Sequence, residues 1–255
     1  MDMQPKDMAL AEFIKLPTTV SFQVQDSDRF RNFVEENPYI RIGAVLSGGY
    51  AIAYVQEDKL RSALRELGET FMSTHPTAYT LLDKKTFEEP FVTRVQQMPG
   101  FDLRGQGVIL GFVDTGIDYT SPSFRYEDGS SKILSIWDQT GDGPFPYDMQ
   151  FGAVYTQEEI NSALQSDSPL DIVPHEDSIG HGTFIASAAG GRENNGHIGA
   201  APDASIIAVK LKPASPYYFN LFPELPESSN IFTSDNIMMG IDYILDRADA
   251  FDRPV

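Results

Sequence analysis

The sequence contains no cysteine among its 255 residues. Disulfide frameworks, thiolate zinc sites and cysteine nucleophiles are therefore excluded. No apolar run approaches the roughly 20 residues that a membrane-spanning helix needs. Residues 1–15 also lack the basic and apolar regions of a signal peptide. We therefore predict that the chain has no membrane partner, and no export signal is visible.

Basic residues are scarce, with 19 Lys and Arg against 37 Asp and Glu and a formal net charge of -18. Phosphate backbones would be repelled on average, so we predict that the chain does not bind nucleic acid. The surplus carboxylates could serve a structural calcium ion, which prefers oxygen ligands. No calcium-loop spacing is present, so no metal ligand is assigned and no cofactor is predicted to be needed for chemistry.

Residues 1–97 are predicted to form a small α+β module and a linker. The first 16 residues carry no clear pattern and are interpreted as a loose arm. Alternating β-formers and helical periodicity then predict strands at 18–24, 39–46 and 50–56, and helices at 28–36 and 57–67. Ser47, Gly48 and Gly49 between two strands indicate a hairpin. With one more strand near Phe71, the order matches a split-βαβ, ferredoxin-like module, and residues 76–97 would be a linker.

Residues 98–255 are predicted to form a second domain, of α/β class. Apolar runs predict strands at 108–113, 133–137 and 204–211, the first of them buried and central. Helices are predicted at 157–164, with a capping box, at 181–190, and from Ser234 or Asp235 to Ala250. The last helix would bury one face, formed by Ile237, Ile241, Ile244, Leu245 and Ala248. Residues 166–179 and 212–230 are interpreted as loops, and the strand–helix alternation predicts a doubly wound parallel sheet.

Two ionisable residues stand at the edges of these elements. Asp114 follows the strand at 108–113, and His181 opens the helix of small residues. Open α/β sheets place their sites at the carboxyl ends of strands, where a carboxylate can orient an imidazole. Gly116 and Gly182 would allow the close backbone approach that such a pair requires. Asp114 and His181 are therefore the candidate catalytic residues.

The segments around both residues resemble the motifs of the subtilisin-like serine proteases (subtilases, peptidase family S8). Val-Asp114-Thr-Gly-Ile-Asp resembles their aspartate motif, Gly-His181-Gly-Thr their histidine motif, and Gly199-Ala-Ala-Pro-Asp-Ala204 a segment that follows in the family. Residues 117–122, 136–140 and 155–161 are similar to the Csp-type germination proteases of spore-forming bacteria. The resemblance implies a hydrolase of protein or peptide substrates with a Ser-His-Asp triad. It also implies that the N-terminal module is a propeptide, acting as intramolecular chaperone and inhibitor, and that the protein is cytoplasmic or spore-associated.

The sequence departs from this pattern in two ways. Phe184 stands where the family usually has a second histidine, a position that supports packing. No serine lies in the family's Gly-Thr-Ser context, so 98–255 is interpreted as the N-terminal part of the peptidase domain, and this chain alone is expected to be inactive. Ser121, Ser123 and Ser187 are interpreted as structural.

Three other interpretations compete with this one. Gly105, Gly107 and Gly111 approach a dinucleotide-binding fingerprint, but the third glycine is one residue late and a strand follows. His175, Glu176 and Asp177 with His181 could form a metal cluster, although the spacing is not that of a zincin helix. The chain could also be a catalytically inactive pseudoprotease or a regulatory binding module built on the same fold.

Overall fold

The computed structural model describes residues 8–68, 78–80, 103–146, 149–221 and 230–255. The chain divides into two compact units. The first contains residues 1–80, 145–151 and 212–242, and the second contains residues 81–144, 152–211 and 243–255. The first unit thus includes two segments from the predicted second domain. The predicted boundary at residues 97 and 98 lies outside the described residues, so the domain division stays a prediction.

The first unit begins with helix α1 (Leu10–Lys15), where a loose arm was predicted. Phe13 is fully buried and Ile14 nearly so. Two large apolar side chains one residue apart anchor this short helix, although its sequence is too short for a clear helical period. Residues 1–7 of the predicted arm lie outside the described residues.

A three-stranded sheet forms the centre of the first unit. It contains β1 (Thr19–Gln25), β2 (Ile40–Val45) and β3 (Tyr50–Gln56), in the order β1-β3-β2. Strand β3 lies between the others and is antiparallel to both, and Gly49, with φ of 77°, closes the predicted hairpin. Helices α2 (Asp28–Glu36) and α3 (Glu57–Leu67) end where predicted. Phe30 and Leu60 of these helices join Phe22 and Val55 of the sheet in one apolar core.

The polar side chains of β1 are buried as well. Ser21 donates a hydrogen bond to Asp235, and the Gln23 side-chain amide donates to Ser234 Oγ at 2.8 Å. Residues 234–242 of the first unit thus lie over a strand face whose alternation is typical of a solvent-exposed surface.

Two short strands complete the first unit. Strand β4 (Ala78–Tyr79) pairs antiparallel with β9 (Phe232–Thr233), and helix α7 (Pro216–Leu221) lies in a segment predicted to be loop. Strand β4 falls within the predicted linker at 76–97, of which only 78–80 is described. The predicted strand near Phe71 also lies outside the described residues.

The second unit contains a four-stranded sheet of mixed direction. Its strands are β5 (Ile109–Asp114), β6 (Ile133–Asp138), β7 (Ala153–Thr156) and β8 (Ser205–Lys210), in the order β5-β8-β6-β7. Strands β5, β8 and β6 are parallel, which confirms the α/β class, whereas β7 is antiparallel to β6. Strand β5 was predicted to be central and buried. It is instead half-exposed and an edge strand among the described residues, because β8 covers only one side of it.

Helices pack on this sheet and close its core. Helix α4 (Gln157–Leu164) carries the predicted capping box between Thr156 and Glu159, and α5 (Pro169–Ile172) interrupts a predicted loop. The histidine helix α6 (His181–Gly190) is capped by Gly191. Ile136, Ile160 and Ala186 contribute to one core, while Trp137 contacts Tyr243 at a ring-centroid distance of 5.4 Å.

Helix α8 (Ser234–Ala250) buries only part of the predicted face. Met239, Tyr243, Ile244 and Ala248 are buried, but Ile241 is 48% and Leu245 49% exposed. Periodicity alone could not distinguish this face from the neighbouring apolar face that contains Ile241 and Leu245. Among the described residues, no helix is both long and apolar enough to cross a bilayer.

Candidate active site

Three charged residues end the parallel strands of the second unit at one edge of the sheet. Asp114 of β5, Lys210 of β8 and Asp138 of β6 lie side by side in register. The carboxyl edge of a parallel sheet is where open α/β folds place their sites. Lys210 Nζ lies 3.5 Å from Asp138 Oδ2, so the central cation pairs with the aspartate of β6.

Asp114 and His181, separated by 67 positions in the sequence, meet at this edge. His181 Nδ1 lies 2.7 Å from Asp114 Oδ1, and the backbone N–H of Thr115 donates to the same oxygen at 2.7 Å. A carboxylate accepts only, so Nδ1 carries the proton and Nε2 is left as the basic nitrogen. The His181 side chain is 11% exposed and the Asp114 side chain is 17% exposed, so the pair is largely desolvated but still reaches solvent. The structure brings both predicted residues together in the arrangement that a general base requires.

Gly182 and Gly116 let the histidine helix approach the aspartate loop. A Cβ added to Gly182 would collide with the Gly116 carbonyl oxygen and lie 3.2 Å from Asp114 Cβ. Gly116 has φ of 123°, a conformation that side chains rarely adopt, and it lies against Asp177. The expectation that these two glycines permit close backbone approach is confirmed.

A second histidine–aspartate pair lies inside the unit. His175 Nδ1 is 2.7 Å from Asp138 Oδ2, but these side chains are only 0% and 3% exposed. Burial alone would raise the pKa of Asp138, yet the hydrogen bonds from His175 and Thr140 and the positive charge of Lys210 outweigh it and lower the pKa. This pair is shielded from solvent, whereas Asp114 and His181 are partly exposed.

The metal-cluster interpretation of residues 175–177 is wrong. His175 and His181 bind separate aspartates, and among the described residues no three His, Asp or Glu side chains are grouped to hold a metal ion. The dinucleotide interpretation is also wrong, because Gly111 lies within β5 and no helix begins there. A structural calcium ion stays a prediction.

Sequence reasoning missed the role of Asp177. Its carboxylate accepts hydrogen bonds from Thr115 Oγ1 at 2.8 Å, from Gly180 N at 2.8 Å, and from the backbone and hydroxyl of Thr183 at 2.8 and 2.7 Å. Burial alone would raise its pKa, but these hydrogen bonds outweigh it and lower the pKa. Asp177 lies three residues before Gly180, the N-cap residue of α6, so the usual capping position does not reveal it, although an acidic residue near a helix N-terminus is favourable.

Ser121, Ser123 and Ser187, the three serines interpreted as structural, lie in local turns and in helix α6. Ser121 caps the 3-10 turn Pro122–Phe124, and the Ser123 hydroxyl accepts a hydrogen bond from Asn194 at 3.2 Å. Ser187 lies within α6, and its carbonyl accepts from Gly191 N at 2.9 Å. None of these contacts pairs a serine with the His181 imidazole.

Comparison with known proteins is consistent with this geometry. The subtilase family (Peptidase_S8) matches residues 105–222. Subtilisin-like protease SBT2.2 of Arabidopsis thaliana is 26% identical over 231 residues, covering 82% of this chain and 27% of that protein. Subtilisin-like protease SBT2.4 of the same plant is 36% identical over 98 residues, covering 34% of this chain and 12% of that protein.

A solved structure shares both sequence and fold. The CspB protease of Clostridium perfringens is 31% identical with a TM-score of 0.51, and the match covers 64% of this chain and 30% of that chain. The chain thus spans less than a third of the length of each of these three relatives. The family match over residues 105–222, the curated relatives and the solved structure agree, so this chain is similar to the subtilases and, among them, to a Csp-type protease.

Proposed function

We propose that this chain supplies the aspartate and the histidine of a serine endopeptidase triad. In this proposal Asp114 orients His181, and His181 Nε2 acts first as general base and then as general acid in acyl transfer to water. The observation that carries the proposal is the 2.7 Å contact between His181 Nδ1 and Asp114 Oδ1 in a partly open pair. Proteins or peptides would be the substrates.

The nucleophile in this proposal is a serine outside the present sequence. No serine in the 255 residues has the Gly-Thr-Ser context of the family. In a subtilisin series, loss of the nucleophilic serine lowers turnover by about 10^6. The 255-residue chain alone is therefore expected to have no useful peptidase activity.

The N-terminal module is proposed to be a propeptide. Its support is topological, since β3 lies between β1 and β2, as in a split βαβ unit. The module would act as chaperone and inhibitor for the peptidase region, and it would stay attached while the serine is absent. Purified chain that loses this module without added protease would contradict the proposal.

A binding role without catalysis is the second candidate, and it is favoured if the natural product has no Gly-Thr-Ser segment. In that case the chain would be a pseudoprotease or a regulatory module.

The two functions are separated by reading the gene downstream of codon 255 and by labelling its natural product with a fluorophosphonate probe. If the product contains the serine motif, we expect stoichiometric labelling that His181→Ala abolishes. His197→Ala is the matched control, since this exposed histidine lies on an isolated bridge with Asn194. The 255-residue chain should remain unlabelled. A folded product that carries the motif but does not react would overturn the endopeptidase proposal in favour of the binding role.

A further inference from the structure

Residues 175–177, which we call the clamp, contact the aspartate motif and the histidine helix at the same time. The Asp177 carboxylate accepts from Thr115 Oγ1 on one side and from Gly180 N and Thr183 N on the other, each at 2.8 Å. Thr115 Oγ1 in turn accepts the Gly182 N–H at 2.9 Å. One carboxylate thus joins the residues that follow Asp114 to the residues that flank His181.

His175 holds the aspartate motif from a second direction. Its Nε2 accepts the backbone N–H of Ile117 at 3.3 Å, while its Nδ1 faces Asp138 Oδ2 at 2.7 Å. Because Nε2 accepts a hydrogen bond, the proton must reside on Nδ1 and the ring is neutral. The ring therefore bridges the end of β6 to the loop that follows Asp114.

The middle residue of the clamp is fixed through its backbone. Lys210 Nζ donates to the Glu176 carbonyl oxygen at 2.9 Å. A Cβ on Gly116 would lie 3.3 Å from Asp177 Cβ and 3.4 Å from the Glu176 carbonyl oxygen, so the clamp and the aspartate motif are already in contact. Each residue of the clamp therefore makes a hydrogen bond to a strand of the sheet or to a loop that follows a strand.

We propose that the clamp is a positioning element for the Asp114–His181 pair, with Asp177 and His175 as positioning residues. Catalytic geometry depends on placement to well below 1 Å, and elements distant in the sequence need such cross-links to reach it. His175 is in this view neither a metal ligand nor a second general base. The inference rests on the proposed function of the pair, but its test does not need a serine.

The test measures hydrogen exchange of the His181 Nδ1 proton by NMR in the 255-residue chain. The proton is protected while Asp114 accepts it, so loss of positioning should speed its exchange by about tenfold or more. We expect this acceleration in Asp177→Asn, which keeps the shape of the side chain but removes the charge. Asp171→Asn is the matched control, because Asp171 is an exposed carboxylate on α5.

A second pair of variants guards against failure of Asp177→Asn to fold. Thr115→Val removes the hydroxyl that links Asp177 to Gly182 and should speed exchange, whereas Thr115→Ser keeps it and should retain protection. The imidazole nitrogen shifts should also show His175 as the neutral Nδ1–H tautomer at neutral pH.

Unchanged exchange in folded Asp177→Asn or folded Thr115→Val would overturn the proposal, as would a cationic His175 or its Nε2–H tautomer. If the variants show the expected faster exchange but the natural product is not labelled by the fluorophosphonate probe, the proposed function fails and the positioning role of the clamp stands.

Discussion

The buried lysine Lys132 supports one prediction about stability in alkaline solution. Its side chain is fully buried, and its ammonium group donates to the carbonyl of Gly190, at the end of the histidine helix, and to Pro202 O at 2.6 Å. Burial is the main cause that lowers the pKa of Lys132 from 10.5 to about 8. A shift of that size corresponds to about 3 kcal/mol against the charged form in the folded state.

The sign of the pH effect follows from proton linkage. Between about pH 8 and 10.5 the unfolded chain keeps the Lys132 proton that the folded chain has lost. The free energy of unfolding should therefore rise with pH in this window, by about 2 to 3 kcal/mol between pH 7 and 10. In Lys132→Met this contribution should disappear, although the variant also loses the hydrogen bonds to the two carbonyl oxygens.

Urea unfolding at several pH values between 7 and 10 measures this contribution. Trp137 is the sole tryptophan and is fully buried in the same unit, so its fluorescence reports unfolding of the second unit. Lys59→Met, which removes a half-exposed lysine from α3, controls for the loss of a positive charge. If wild type and Lys132→Met show parallel pH profiles, burial does not perturb this lysine and the reasoning fails.

Two further predictions concern the active-site edge. Gly182→Ala should separate the histidine helix from the Gly116 carbonyl and destabilise the second unit by about 3 kcal/mol or more, as overpacking does. Thermal unfolding and loss of the protected His181 Nδ1 proton would detect this destabilisation. A melting temperature equal to that of the wild type would contradict the prediction. The pKa of Asp138 is lowered in the folded chain, so the stabilisation from its ionised form is present above about pH 4 and is lost as the pH falls towards 2. Asp138→Asn should therefore flatten the acid unfolding profile between pH 4 and 2, and an unchanged profile would show that other carboxylates are responsible.

The candidate pair was predictable because its signals are local. Asp114 ends an apolar run, His181 starts a run of small residues, and the two glycines mark the close contact between them. The helices with strong caps were also placed correctly, since Ser27 and Thr156 bond to N–H groups only three residues ahead. Such interactions depend on neighbouring residues and need no knowledge of the rest of the fold.

The errors came from contacts between residues distant in the sequence. The alternation in β1 predicts the strand but not the burial of Ser21 and Gln23, which bond to Asp235 and Ser234 from more than 200 positions away. Strand β5 was predicted to be central, but strand order depends on which strands pair, and no periodicity records this.

The sequence by itself determined the α/β class, the position of each strong helix cap and Asp114 and His181 as the candidate pair, because composition, capping and glycine placement act over a few residues. Only the tertiary structure decided that residues 175–177 brace this pair, that Lys132 is buried and that His175 is turned inward. These outcomes depend on hydrogen bonds and burial between segments that become neighbours only when the sheet has formed.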